Sequence, residues 1–288
     1  MEKHRKKLIK NATVFDGHSG GLAQGKKIVI EDDIVTEITA DEVSEENFDE
    51  VFDGTGMVAM PGMTDAHVHL GCLFAKGEFP VDYATVLTVA KCKDALMAGF
   101  TTFRDAGSVS EGLKLAFDEG VLPGPRIYPC GAYISQTCGH GDSEYAHTYR
   151  DIQYRHPSST VLVDGVPEII RAVREQFYRG ASHIKLMATE ILNRHEDIRL
   201  LFGTDMMITG PDYQVEQSED IRYYEKRFGT MRALRALTGT ANEVFALTTY
   251  QNPYPKGKIG VLEAGSYADL LLVDGDPTKS VSVLADTD

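Results

Sequence analysis

Two histidines, His67 and His69, stand two residues apart at the end of an apolar, β-like run. Side chains at positions i and i+2 of a strand lie on the same face, so both imidazoles could reach one metal ion. Asp65 lies on that face as well, where its carboxylate could orient an imidazole. For an isolated His-x-His pair, two ordinary polar residues at a strand end are an equally good interpretation.

Two further residues, Lys185 and Asp205, could also take part in chemistry. Lys185 lies in the apolar segment 183–187. Because a charged amine is costly to bury, it requires a carboxylate partner or a changed chemical state. Asp205 ends the apolar stretch 199–205. The alternatives are a buried ion pair for Lys185 and a helix N-cap or turn carboxylate for Asp205.

The elements that would position these residues alternate between strands and helices in the middle of the chain. The pattern predicts strands at 100–105, 126–129, 183–187 and 199–205, and helices at 81–98, 109–119, 166–179, 218–228, 230–237 and 241–247. This alternation predicts a parallel sheet or an α/β barrel. Such barrels carry their reactive groups at the C-terminal ends of the strands. His67, His69, Lys185 and Asp205 all occupy such positions.

The two ends of the chain have a different pattern, with short alternating strands and Gly or Asp turns. Residues 8–53 and 259–273 share this character. We therefore predict a small β-sandwich built from residues 1–60 together with 255–288, and a barrel domain over residues 61–254.

Composition limits the possible partners of this chain of 288 residues. Its net charge of -14 argues against a nucleic-acid partner, which requires a concentrated basic surface. No apolar run approaches the roughly 18 residues that a membrane-spanning helix needs, so we expect a soluble, cytoplasmic protein. The four cysteines form no Cys-x-x-Cys pair, which argues against a thiolate zinc site or a disulfide framework.

Several motifs together resemble the amidohydrolase superfamily, in its imidazolonepropionase-like and Xaa-Pro-dipeptidase-like branch. They run from the N-terminal strands to the C-terminal ones. The matching segments are Pro-Gly-Met-Thr-Asp-Ala-His-Val-His at 61–69, Gly-Phe-Thr-Thr-Phe-Arg-Asp-Ala-Gly at 99–107, Pro-Gly-Pro-Arg at 123–126, Gly-His-Gly-Asp at 139–142, Ile-Lys-Leu-Met-Ala-Thr at 184–189, Gly-Thr-Asp at 203–205 and the tail at 265–277.

The resemblance implies an α/β fold, a (β/α)₈ TIM-type barrel with two divalent metals, usually zinc, at its mouth. By similarity, His67, His69 and Asp205 bind the more buried metal, and Lys185, carbamylated by CO₂, bridges both ions. It further implies hydrolysis of a C–N bond in a small amide or dipeptide-like substrate by a metal-activated hydroxide, with Asp205 as the catalytic proton carrier. His140 resembles a substrate-side or outer-shell group, and a loop-stabilising hydrogen bond is its alternative role.

The sequence departs from this family pattern after Lys185. Three strand-helix units of roughly 30 residues each should precede Asp205, but only residues 186–204 lie between them. We infer an internal deletion near residues 189–190 that removes strands 5–7 and leaves the barrel incomplete. The histidines expected on strands five and six have no counterparts, and His183 and His195 are poor replacements.

Two hypotheses follow from this departure. The chain is either a metal-dependent hydrolase that holds one metal, or a non-catalytic remnant that holds little metal or none and persists by forming oligomers. Both predict a homo-oligomer, because five strands do not close an eight-stranded barrel and leave exposed strand edges.

Overall fold

Both ends of the described chain contribute strands to one six-stranded sheet. The computed structural model describes residues 5–71, 81–107, 109, 111–137, 139, 141–142, 160–187, 199–207 and 213–285. The sheet contains β1 (Lys6–Phe15), β2 (Leu22–Glu31), β3 (Ile34–Thr39), β4 (Glu50–Asp53), β5 (Met57–Pro61) and the C-terminal β13 (Leu270–Asp274). Its order is β13-β5-β1-β2-β3, with β4 paired to β1.

The antiparallel pairing of β13 with β5 places residues from both ends of the chain in one sheet, and the predicted β-sandwich stays a prediction. Alternation at the end of β2 buries Ile28 and Ile30, which share a core with Ile9 and Val14 of β1. Residues 259–262 were predicted to be strand-like, but they form no strand. Their apolar character reflects burial, since Leu262 packs into this same core.

The middle of the chain builds two parallel sheets. The first has the order β12-β6-β7-β8, and the second has the order β10-β9-β11. Their strands are β6 (Met63–His69), β7 (Phe100–Asp105), β8 (Arg126–Tyr128), β9 (Tyr133–Ser135), β10 (Thr160–Leu162), β11 (Leu186–Met187) and β12 (Met206–Met207). Because strand pairing within each sheet is parallel, the C-terminal ends of its strands lie at one edge.

Helices alternate with these strands, as the sequence predicts for a mixed α/β fold. They are α1 (Val81–Met97), α2 (Glu111–Asp118), α3 (Val166–Tyr178), α4 (Tyr213–Phe228), α5 (Thr230–Leu237) and α6 (Gly239–Phe245). The largest core includes Phe103, Phe202 and Leu234. In the described residues, no helix is both long and apolar enough to span a membrane.

One predicted strand is shorter in the structure, and another does not form. Of residues 183–187 only Leu186–Met187 form a strand, and residues 199–205 form none. The latter segment still follows β6, because the N–H of Ala66 donates to the carbonyl of Phe202 at 2.8 Å. The predicted deletion junction near residues 189–190 lies outside the described residues. The described strands β11 and β12 belong to different sheets, and the incomplete eight-stranded barrel stays a prediction.

Helix α3 buries less of its apolar side than the sequence pattern indicates. The sequence places Ile169, Ile170, Val173 and Phe177 on one side, but the buried residues of α3 are Ala172 and Gln176. Val173 is partly buried and packs against the core that contains Ala172. Ile169 and Ile170 are 36% and 44% exposed. The side-chain oxygen of Gln176 accepts a hydrogen bond from the N–H of Ala132 at 2.8 Å.

Candidate metal centre

His67 and His69 lie on the same face of β6 and meet one carboxylate oxygen. Oδ1 of Asp205 lies 2.9 Å from Nε2 of His67 and 3.2 Å from Nε2 of His69. The two imidazole centroids are 5.5 Å apart. The spacing i, i+2 on a strand produces this geometry, since it places both rings on one side of the sheet.

Asp205 reaches the histidines through a tight turn just before β12. Its backbone N–H donates to the carbonyl of His67 at 2.7 Å, and its φ of 56° is left-handed, which is uncommon for a residue other than glycine. Gly203 allows this close approach, because a β-carbon there would lie 2.7 Å from Cβ of His67. The side chain of Asp205 is 70% exposed, so the carboxylate faces both the histidines and solvent.

Lys185 comes from a separate sheet and contacts the same group. It directly precedes β11, and its backbone carbonyl accepts a hydrogen bond from the N–H of Ile134 on β9. Nζ of Lys185 lies 3.0 Å from Nε2 of His67. The four residues predicted as metal ligands are therefore brought together. An unmodified amine at this distance competes with a metal for the lone pair of His67.

The surroundings keep both imidazoles neutral at pH 7. Burial, together with the positive charge of Lys185, lowers the pKa of His67 to about 4, although Asp205 acts in the opposite direction. Burial also lowers the pKa of His69, again against the influence of Asp205. Neutral imidazole is the form that binds metals, because its lone pair is free.

Asp65 lies beneath the histidines and is completely buried. Its Oδ1 accepts hydrogen bonds from the backbone N–H groups of His67 at 3.1 Å and Thr204 at 3.2 Å. Its Oδ2 accepts from the hydroxyl of Thr204 at 2.9 Å and from that of Tyr213 at 3.2 Å. Burial outweighs these bonds and raises the pKa of Asp65 to about 6. In the described contacts, Asp65 thus orients the backbone of His67, whereas the sequence suggests that it orients an imidazole.

Comparisons with known proteins identify a family that part of the chain resembles. Residues 58–198, just under half of the chain, match the model of the amidohydrolase family. By this resemblance, the chain is a metal-dependent hydrolase.

Curated relatives of this chain include an ochratoxinase and a deaminase. An ochratoxinase of Aspergillus niger is 34% identical over 152 residues, which cover 46% of this chain and 31% of that protein. A 5-methylthioadenosine/S-adenosylhomocysteine deaminase of Dictyoglomus turgidum is 37% identical over 70 residues, which cover 24% of this chain and 16% of that enzyme. The chain therefore spans less than a third of the length of these curated relatives.

The fold is shared with solved amidohydrolases. A crystal structure of a prolidase complexed with N-methylphosphonate-L-proline aligns with a TM-score of 0.81 and 22% identity, covering 98% of this chain and 96% of that one. At this identity, the likeness concerns the fold alone.

The donor set of this site fits a divalent metal. Nε2 of both histidines and a carboxylate oxygen of Asp205 lie within 4.8 Å of one another. Two neutral imidazoles and one carboxylate form a set that suits Zn²⁺ and similar ions. This is the single such cluster among the residues that the structure describes.

Of the remaining candidates of the sequence, His140 and His195 lie outside the described residues. His183 is largely buried, with Nδ1 at 3.0 Å from the hydroxyl of Ser182, and burial lowers its pKa to about 3. It does not belong to the three-residue cluster.

Sequence reasoning missed the residues that support the centre from below, namely Thr204, Tyr213 and Gln217. The amide of Gln217 donates to the hydroxyl of Tyr213 at 2.6 Å. The one signal in the sequence is the spacing of four residues between Tyr213 and Gln217, which places both on the same face of α4. That spacing does not say what the face contacts.

Proposed function

We propose that this chain hydrolyses a C–N bond in a small amide or dipeptide-like substrate as a metal-dependent amidohydrolase. The observation that carries the proposal is the convergence of His67, His69 and Asp205 on one point beside the ends of parallel strands. A bound divalent metal, for which we expect Zn²⁺, would polarise the substrate carbonyl and acidify a water molecule.

Asp205 is the proposed catalytic proton carrier. Its described contacts with both histidines are made by Oδ1, while most of its side chain is exposed. The carboxylate can therefore hold a ligand position and also accept a proton from the attacking water. Passing this proton to the nitrogen of the leaving amine would complete the hydrolysis.

Lys185 is the proposed site of a carbamate formed with CO₂. As an amine it offers only donors, and it lies against the lone pair of His67. As a carbamate it would offer oxygen ligands to the same metal and remove the cost of a partly buried positive charge. His67, His69, Asp205 and the carbamate would then form the protein shell of one metal.

The same proposal includes an internal deletion. Residues 186–204 are too few to hold three strand-helix units, which supports an eight-stranded barrel that lacks strands 5–7. A homo-oligomer would cover the strand edges exposed in this way. The same hypothesis includes a second layer over the terminal sheet, which would complete a β-sandwich, and a cytoplasmic location.

The substrate class rests on the relatives. A prolidase complexed with a phosphonate of proline shares the fold, and an ochratoxinase shares sequence. We therefore expect a substrate in which an amide joins a small acyl group to an amino acid.

The test is metal content measured together with hydrolysis. The purified chain is incubated with Zn²⁺ and bicarbonate, its bound zinc is determined by elemental analysis, and amine release is followed for a panel of dipeptides and N-acyl amino acids. We expect about one zinc per chain, and loss of activity in His67→Ala and Asp205→Asn. His18→Ala is the matched control, because His18 is an exposed histidine beside Asp16.

A chain that binds no zinc would refute the proposed function. Full activity in both site variants would refute the assignment of the residues.

A further inference from the structure

A line of buried hydrogen bonds leads from helix α4 to the candidate metal centre. Tyr213 is 1% exposed and Gln217 is 2% exposed. Because the amide of Gln217 donates to the hydroxyl of Tyr213 at 2.6 Å, that hydroxyl is free to donate its own proton to Oδ2 of Asp65 at 3.2 Å. The direction of each bond in this line is thus determined.

The two carboxylate oxygens of Asp65 accept hydrogen bonds from the elements that carry the ligands. Oδ1 accepts from the N–H groups of His67 and Thr204, and Oδ2 accepts from the hydroxyls of Thr204 and Tyr213. The carboxylate therefore ties β6 to the turn that precedes β12. A rotation of this one side chain would disturb both bonds to the turn and the bond to the backbone of His67.

Thr204 passes the same constraint to Asp205. Its N–H and hydroxyl are both held by Asp65, and its hydroxyl oxygen accepts from the N–H of Met206 at 3.3 Å. Asp205 is thus held from both sides in a left-handed conformation that is uncommon for such a residue. The surrounding bonds stabilise this conformation, which directs the carboxylate toward the histidines.

We propose that Tyr213, supported by Gln217, is a positioning residue of the metal centre that acts through Asp65. It sets the separation between His67 and Asp205, so that Nε2 and Oδ1 can bind the same ion. The inference rests on the proposed function, since it concerns affinity for the metal of that site.

The physical reason is the cost of an unsatisfied buried group. Removal of the Tyr213 hydroxyl leaves the amide of Gln217 without its acceptor and Oδ2 of Asp65 with one donor fewer, in a region closed to water. Asp65 then has no contact with α4 that fixes its rotation. Changes to outer partners of metal ligands typically weaken metal affinity 10- to 100-fold.

The test compares two tyrosines whose hydroxyls donate to a carboxylate. Tyr213→Phe removes the hydroxyl that contacts Asp65, whereas Tyr254→Phe removes a hydroxyl that donates to Oδ1 of Asp118 at 2.8 Å. Affinity for Co²⁺ is measured by competition with a chelator, the visible absorption spectrum reports the geometry of the bound ion, and urea denaturation reports stability.

We expect Tyr213→Phe to bind Co²⁺ at least about ten-fold more weakly, with an altered absorption spectrum. Tyr254→Phe should bind within about two-fold of the wild type, at a similar loss of stability. Should Tyr213→Phe fail to fold, Gln217→Leu removes the donor behind the tyrosine and should weaken Co²⁺ binding in the same direction.

The outcomes separate the two hypotheses. If Tyr213→Phe or Gln217→Leu binds Co²⁺ with the affinity and the absorption spectrum of the wild type, the positioning role alone is overturned. Absence of Co²⁺ binding by the wild type overturns the proposed function and this inference with it.

Discussion

Gly203 lies against His67 so closely that a β-carbon on Gly203 would be 2.7 Å from Cβ and 3.1 Å from the backbone nitrogen of His67. Backbone and a β-carbon cannot move aside as a flexible side chain can. The absence of a side chain at position 203 is therefore a condition for the approach of Asp205 to the histidines.

Gly203→Ala should separate the turn from β6 and weaken metal binding. We expect a loss of about 1 to 3 kcal/mol in the free energy of unfolding, as for other overpacked sites, together with reduced Zn²⁺ content. Gly21→Ala is the control, because a β-carbon there meets nothing within 4 Å. Urea denaturation and elemental analysis measure both effects, and equal results for the two variants would contradict the argument.

Lys185 should make metal binding depend on bicarbonate. Without CO₂ its amine lies against Nε2 of His67, and as a carbamate it would supply oxygen ligands. We expect added bicarbonate to raise the Zn²⁺ affinity of the wild type at least about ten-fold, and to have no effect on Lys185→Gln. Lys10→Gln, which removes a surface pair with Glu45, should behave like the wild type. Zn²⁺ titrations in CO₂-free buffer, with and without bicarbonate, test this, and a bicarbonate effect in Lys185→Gln would refute it.

Arg126 joins the parallel sheet to the segment that enters β13. Its Nε and Nη2 donate to the two oxygens of Asp269 at 2.6 and 3.2 Å, and its guanidinium lies 3.6 Å from the centre of the Tyr267 ring. Arg126→Lys keeps the charge but loses the second bond and the stacking, so we expect a loss of about 1 to 3 kcal/mol.

The control for Arg126→Lys is the same substitution at an exposed site. Arg171 pairs with Glu175 on the surface of α3, and Arg171→Lys should change stability by less than about 0.5 kcal/mol. Urea denaturation at pH 7 compares the two variants. Equal losses of stability in the two variants would show that the contact of Arg126 with Asp269 and Tyr267 contributes no more to stability than a surface ion pair.

Asp105 should make stability depend on pH. It is fully buried and accepts hydrogen bonds from the N–H groups of Leu70, Gly107 and Val109. Burial outweighs these bonds and raises its pKa from 3.8 to about 7. Between about pH 4 and pH 7 the folded protein therefore retains a proton that the unfolded chain has released. The contribution of Asp105 to the free energy of unfolding falls as pH rises through this window, by at most about 4 kcal/mol.

Asp105→Asn removes this titration. We expect the free energy of unfolding of the wild type, minus that of the variant, to decrease between pH 4.5 and pH 7.5 in urea denaturation. Other groups titrate equally in both proteins and cancel in the difference. A difference that stays constant or increases with pH would contradict the raised pKa.

The pairing of His67 with His69 follows from the sequence alone, because strand geometry places positions i and i+2 on one face whatever surrounds the strand. The alternation of strands and helices likewise predicts a mixed α/β fold, and the cost of a charge in an apolar segment indicates that Lys185 has an unusual environment. These conclusions depend on local geometry and on the chemistry of single side chains.

Other relationships depend on contacts across long stretches of chain. Tyr213 and Asp65 are 148 residues apart, and Arg126 and Asp269 are 143 apart. The apolar pattern of α3 also indicates more burial than the structure has, since Ile169 and Ile170 are exposed. Periodicity states which side chains share a face of an element, but packing decides which other element covers that face. The sequence by itself therefore determined which residues could bind a metal, whereas only the tertiary structure decided what supports them from below.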